Sequence, residues 1–158
     1  MNSGFKIQGA KELEFFLKTF PKKVEKRLLK GALSAAALPI KREAKKLAPK
    51  RTGTLKKAIK SRRVKGRRAA VQVYVERGKR AKNDAWYAHI IEEGAKPHII
   101  KGRKGRGLTI GGRTVQSVKH PGVKARPFMR PALETQARTA IGQFGKKLAM
   151  LIERELSK

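Results

Sequence analysis

His89, Glu92 and Glu93 stand at i, i+3 and i+4, the spacing that brings side chains onto one face of a helix. An imidazole beside carboxylates is the minimum for acid–base catalysis or for part of a metal site. A metal would need a further ligand, and the other two histidines, His98 and His120, are scattered along the chain. The spacing matches no metal motif, so the plain reading is a surface histidine beside solvated glutamates or an interface ion pair. Asp84 is the single aspartate and there is no cysteine, which removes thiolate ligands, a cysteine nucleophile and disulfides. Gly102 to Gly112 is glycine-rich but lacks the GK[ST] ending of a phosphate-binding loop. None of the five serines sits in a nucleophile elbow. These residues predict no catalytic group, no metal and no cofactor, hence no enzyme.

The residues with the strongest chemical bias are cations. Lysine and arginine number 41 against 11 acidic residues in a chain of 158, a formal charge of +30. Such a surplus repels itself unless a polyanion or an acidic partner lies nearby. Between Lys41 and Lys82 there are 18 Lys/Arg against only Glu43 and Glu76, and residues 95–126 carry nine with no acid. Part of this is a solvated face, but a density of one sign beyond what solubility needs favours phosphate or an acidic protein. Within the glycine-rich segment, Lys101, Arg103, Lys104, Arg106 and Arg113 are the candidate contacts, since glycine lets a backbone approach closely. Aromatic residues are not interleaved with the basic clusters, which argues against stacking of single strands. A contact with DNA would therefore be independent of sequence.

The elements that position these residues read as follows. Lys11 to Phe20 is a short helix with Leu13, Phe16, Leu17 and Phe20 on one face, ended by Pro21. Val24, Leu28, Ala32, Ala35, Ala36, Ile40, Ala44 and Leu47 recur at helical spacing to a stop near Ala48, with a kink or interruption expected at Pro39. The alanines let another element approach closely. Pro49 to Leu55 is a turn; Ala58–Val64 and Ala70–Glu76 read as strands joined through Gly66. Asp84 is the expected N-cap of a short helix bearing Trp86, Tyr87, Ile90 and Ile91, ended by Gly94. Gly111-Gly112, between Leu108-Thr109-Ile110 and Arg113-Thr114-Val115, predicts a two-residue hairpin turn. A last helix from near Pro131 carries Leu133, Ala137, Ile141, Phe144, Leu148, Ile152 and Leu156, and Gly142 and Gly145 in it suggest close packing.

The expected fold is α+β and a single domain over residues 1–158. Long N-terminal and C-terminal helices pack on a small antiparallel sheet, and 95–126 forms an extended basic loop. No apolar run is long enough for a signal peptide or a membrane span, so no membrane contact is expected and the chain reads as made in a cytoplasm.

Three stretches, in this order, resemble a known family. The first is Ile7-Gln8-Gly9 with Glu12-Leu13, leading through the alanine-rich helix into Leu47-Ala48-Pro49-Lys50-Arg51-Thr52-Gly53-Thr54-Leu55-Lys56-Lys57-Ala58-Ile59. The second is Trp86-Tyr87-Ala88-His89-Ile90-Ile91-Glu92-Glu93-Gly94, and the third Ala125-Arg126-Pro127-Phe128-Met129-Arg130-Pro131-Ala132-Leu133-Glu134. The order resembles the tail-component, or neck, proteins of siphophages, the lambda-like head–tail joining and tail-completion family, over nearly the whole chain. The resemblance implies a structural, non-enzymatic subunit forming a homo-oligomeric ring between head and tail. Its partners would be connector or stopper proteins, tail terminator or tail tube proteins, and the double-stranded DNA in the channel. Its place would be the virion, and the host cytoplasm during assembly. By position, Pro49, Thr52, Gly53 and Leu55 would shape the turn after the long helix, and Tyr87, Glu92 and Gly94 would mark the short helix. Pro127, Phe128, Arg130 and Pro131 would form the entry to the last one. A sequence-independent nucleic-acid-binding protein is the alternative, and a basic nuclease built on His89 and Glu92 a third reading.

Overall fold

Pro21 ends one helix and starts the next. Its carbonyl accepts from the N–H groups of Val24 and Glu25, while Thr19 and Phe20 close the preceding turn on Phe16 and Leu17. The structure is a computed structural model that describes residues 10–66, 69–78, 80–102 and 107–157. Along the chain it contains α1 (Ala10–Lys18), α2 (Lys22–Leu47), α3 (Thr54–Ala58), β1 (Ile59–Arg63), β2 (Val71–Val75) and α4 (Ala88–Glu93). Then follow β3 (His98–Lys101), β4 (Leu108–Ile110), β5 (Arg113–Val115), β6 (Ser117–His120) and α5 (Met129–Leu156). The α+β mixture with long helices toward both ends agrees with the sequence reading.

The residues divide into two compact units. One contains residues 10–41, 61–73 and 136–157. Its core is Leu17, Leu28, Ala32 and Leu148, with Leu13, Phe20, Val24, Leu29, Phe144, Leu151 and Ile152 packed around it. This is the apolar stripe read from the spacing of α1, α2 and α5. Close approach at the small residues of α2 is real at Gly31, where an added Cβ would lie 2.7 Å from Leu151 Cδ1. Arg27 of α2 is paired with Glu155 of α5 at 2.6 Å.

The other unit, residues 42–60 and 74–135, buries Ala44, Ala48, Leu55, Ala58, Ile59, Ala85, Ala88, Phe128 and Ala132. Phe128 and Ile59 are the largest fully buried side chains among the described residues. The rest are mostly alanine, so this core depends on a few bulky groups.

Four expectations need correction. The helix is not interrupted at Pro39: α2 runs unbroken from Lys22 to Leu47. A proline there forfeits the bond to the carbonyl of Ala35 and costs about 3 kcal/mol; burial of Ala32, Ala37 and Ala44 on either side offsets it. Asp84 does not cap α4. Its Oδ1 accepts from the N–H groups of Gly78 (2.9 Å) and Trp86 (3.1 Å), closing the loop ahead of the helix, and Tyr87 occupies the cap position. The strands form three separate two-stranded sheets, β1-β2, β3-β6 and β4-β5, rather than one. Strands this short pair two by two, with β4-β5 enclosed in the chain between β3 and β6.

Finally, Gly142 and Gly145 are exposed, and a Cβ at either would meet nothing within 4 Å. Close packing does not explain them. Gly142→Ala and Gly145→Ala are each expected to stabilise the helix by about 1 kcal/mol. A denaturation midpoint that stays level or falls would contradict the open face.

Candidate functional site

Two constellations stand out, and both lie in the unit of residues 42–60 and 74–135. The first joins α4 to the start of α5. The first N–H groups of a helix have no intrahelical acceptor and need an outside partner. Here that partner is Glu92, 36 to 38 residues earlier: one carboxylate oxygen accepts from Phe128 N (2.8 Å) and Met129 N (3.0 Å), the other from Arg130 N (2.9 Å). Pro131, next in line, has no N–H to satisfy and suits the first turn. Arg126 N donates to the Ile91 carbonyl at 2.7 Å, which fixes the chain just ahead of the cap. Burial pushes the Glu92 carboxyl up, but the N–H groups of Met129, Phe128 and Arg130 and the Arg130 charge outweigh it, so it lies below its ordinary value.

Gly94 makes the approach possible. It ends α4 with φ +77°, and a Cβ there would come within 2.8 Å of the Val123 carbonyl oxygen and 2.9 Å of the Ala125 nitrogen. Both atoms belong to backbone that cannot step aside, so glycine is required by space as well as by φ. Immediately after it, Ala95 and Val123 exchange two N–H···O bonds of 2.9 Å.

His89, Glu92 and Glu93 line one open cavity together with Trp86, Phe128 and Met129, but both carboxylate oxygens of Glu92 are engaged by N–H groups. His89 Nδ1 instead bonds the Trp86 carbonyl at 2.8 Å, a contact in which the nitrogen is the donor. Among the described residues no three potential ligands gather around a common point.

The second constellation is the segment after Gly94. β4 and β5 pair antiparallel with Ile110 opposite Arg113, so Gly111-Gly112 is the two-residue turn read from the sequence; their φ values, +55° and +79°, suit a type I′ hairpin. The β3-β6 ladder was not foreseen: His98 faces His120, Ile99 faces Lys119, Ile100 faces Val118 and Lys101 faces Ser117. It stacks the rings of His98 and His120 at 5.0 Å, although the two histidines seemed unrelated in sequence. The two ladders are joined by Gln116 alone on the return strand and by residues 102–107 on the outgoing one. Lys101 and Arg113 are exposed on β3 and β5. Arg103, Lys104 and Arg106 lie outside the described residues.

A family model with the description "Bacteriophage HK97-gp10, putative tail-component" matches residues 11–94, just over half of the chain. The chain belongs to this phage tail-component family. No curated protein and no solved structure matches it.

The family match runs from α1 to the last residue of the α4 motif, so it takes in the first two stretches singled out from the sequence except Ile7, Gln8 and Gly9. Within it, Pro49 is half-buried after α2, Thr52 Oγ1 shares a 3.0 Å hydrogen bond with Thr54 Oγ1, Gly53 precedes α3, and Leu55 is 3% exposed in the core. Tyr87, half-buried, offers its carbonyl to Ile90 and Ile91. The third stretch lies beyond the match, yet Glu92 binds it directly. Phe128 is buried, while Pro127 and Arg130 are exposed and Pro131 is half-buried. Motifs that sequence reasoning could only place in order thus touch in the tail-component fold. Nothing in the sequence marked Glu92 as the acceptor for α5; a glutamate 36 residues before a helix start carries no local signal.

Proposed function

We propose that this tail-component chain is a structural, non-enzymatic subunit of a phage virion that assembles as a ring at the head–tail junction, in the neck or tail-completion position, with the genome passing through it. The observation that carries the reading is the family match over residues 11–94. Two features support it. The carboxylate that an enzyme reading would have used, Glu92, is committed to holding two helices together. The chain also carries a net charge of +30, which its own 11 acidic residues leave unbalanced and which favours an anionic neighbour. Its neighbours on this reading are connector or stopper proteins on one side and tail terminator or tail tube proteins on the other. Among the described residues no helix is long and apolar enough to cross a membrane.

Quantitative mass spectrometry of purified phage particles from the source that encodes the chain tests this. A fixed low copy number, about six or twelve as closed rings give, is expected. Absence from particles, with the protein abundant in infected cells, would favour the sequence-independent nucleic-acid-binding alternative, which the charge supports. Lys101, Arg103, Lys104, Arg106 and Arg113 are the proposed contacts to DNA or to an acidic neighbour. Changing all five to glutamine is expected to lower the yield of joined particles without lowering the subunit's melting temperature. Wild-type yield from that variant would remove the segment from assembly.

A further inference from the structure

The β3-β6 ladder sorts its side chains by charge. Directly opposed residues share a face, so Ile99, Lys101, Ser117 and Lys119 lie on one side and His98, Ile100, Val118 and His120 on the other. All four residues of the first side are exposed; on the other, His98 and Ile100 are exposed while Val118 and His120 are half-buried. Lys101 and Lys119 are diagonal neighbours across the ladder, about 7–8 Å apart at that spacing. Among the described residues neither makes an ion pair, and neither does Arg113 at the turn. Residues 95–126 hold no acid to balance them. Like charges held this close oppose pairing, and a lone two-stranded ribbon is marginal in water to begin with. An anion laid along this face would remove both problems.

We propose that the face carrying Lys101 and Lys119, with Arg113 at the tip, lies along the sugar–phosphate backbone of duplex DNA without reading its sequence. This rests on the head–tail junction reading for its setting, but not for its test. Charge density favours DNA over an acidic protein. Duplex DNA carries one charge per 1.7 Å or so, denser than the surface of a folded acidic protein. Residues 95–126 contain no phenylalanine, tyrosine or tryptophan, and their two histidine rings stack on each other, which leaves little for single strands to stack on.

The test is fluorescence anisotropy of the full chain with a labelled mixed-sequence duplex over a range of salt. A single strand of the same length and a polyglutamate peptide serve as competitors. The variant Lys101→Gln/Arg113→Gln/Lys119→Gln is compared with Arg138→Gln/Lys146→Gln/Arg154→Gln, which removes the same charge from exposed positions on α5. The ribbon variant is expected to lose about 0.9 per cation from the slope of log K against log salt. That amounts to roughly eightfold weaker binding per cation near 0.1 M salt. The α5 variant should keep close to the wild-type slope. Equal losses from both variants would overturn the ribbon as the contact. Tighter competition by polyglutamate would make the partner an acidic protein, and a single strand binding as well as the duplex would overturn the duplex. Each of these leaves the ring reading standing, because that reading is decided by copy number in the particle.

Discussion

Phe128→Ala is expected to cost about 3–5 kcal/mol, the range for truncating a buried phenylalanine. Phe128 is 1% exposed and is, with Ile59, the largest fully buried side chain among the described residues, in a core otherwise rich in alanine. Alanine-lined walls have few long side chains that could swing in and fill the void, so relaxation should recover little of the loss. Against a total stability of about 5–15 kcal/mol for a domain, that is a large share. Chemical denaturation of the purified variant reads it directly. A loss under about 1 kcal/mol would mean that Phe128 does not anchor this core.

Glu92→Ala is expected to cost about 2 kcal/mol, the upper end for losing a helix cap, because three N–H donors lose their acceptor at once. The carboxyl lies below its ordinary value of 4.5 in the folded chain. A carboxylate so lowered contributes its full stabilisation above the unfolded value and loses it as pH falls through the folded one. Acidification below about 4.5 should therefore destabilise the wild type more steeply than Glu92→Gln, which is less stable near neutrality but has no charge to lose there. Glu76, also lowered and paired with Lys60, titrates in both proteins, so the difference between the two curves is what reports on Glu92. Parallel curves through that window would show that the cap works without its charge.

What could be read in the sequence was whatever announces itself locally. Leu13, Leu17, Leu28, Ala32 and Leu148 were placed by helical spacing alone, and each is buried or packed against the core. Gly94 as a helix end and Gly111-Gly112 as a turn followed from the conformational habits of glycine. The failures have two causes, pairing partners distant in the chain and competing bonds close by. Extending the register set by Ile110 and Arg113 would have put His98 opposite Ala125; the ladder instead pairs it with His120, because 102–107 and Gln116 contribute unequal lengths between the two ladders. Asp84 precedes an apolar run and so reads as a cap, yet the N–H groups of Trp86 and Gly78 take its oxygen. Pro39 breaks a helix considered by itself, but not one whose neighbouring residues are buried on both sides.

The cap at Glu92 also sets an order of events as the chain folds. α4 can close on its own residues, but the carboxylate meets its donors only after a loop of 36 residues has been gathered in. Closing such a loop costs about 3 kcal/mol of chain entropy before any bond forms, apart from a constant. The buried Phe128 and the three N–H bonds return that cost together. The durability of this join therefore hangs on one carboxylate and one ring, and losing either leaves a 36-residue loop gathered for little in return.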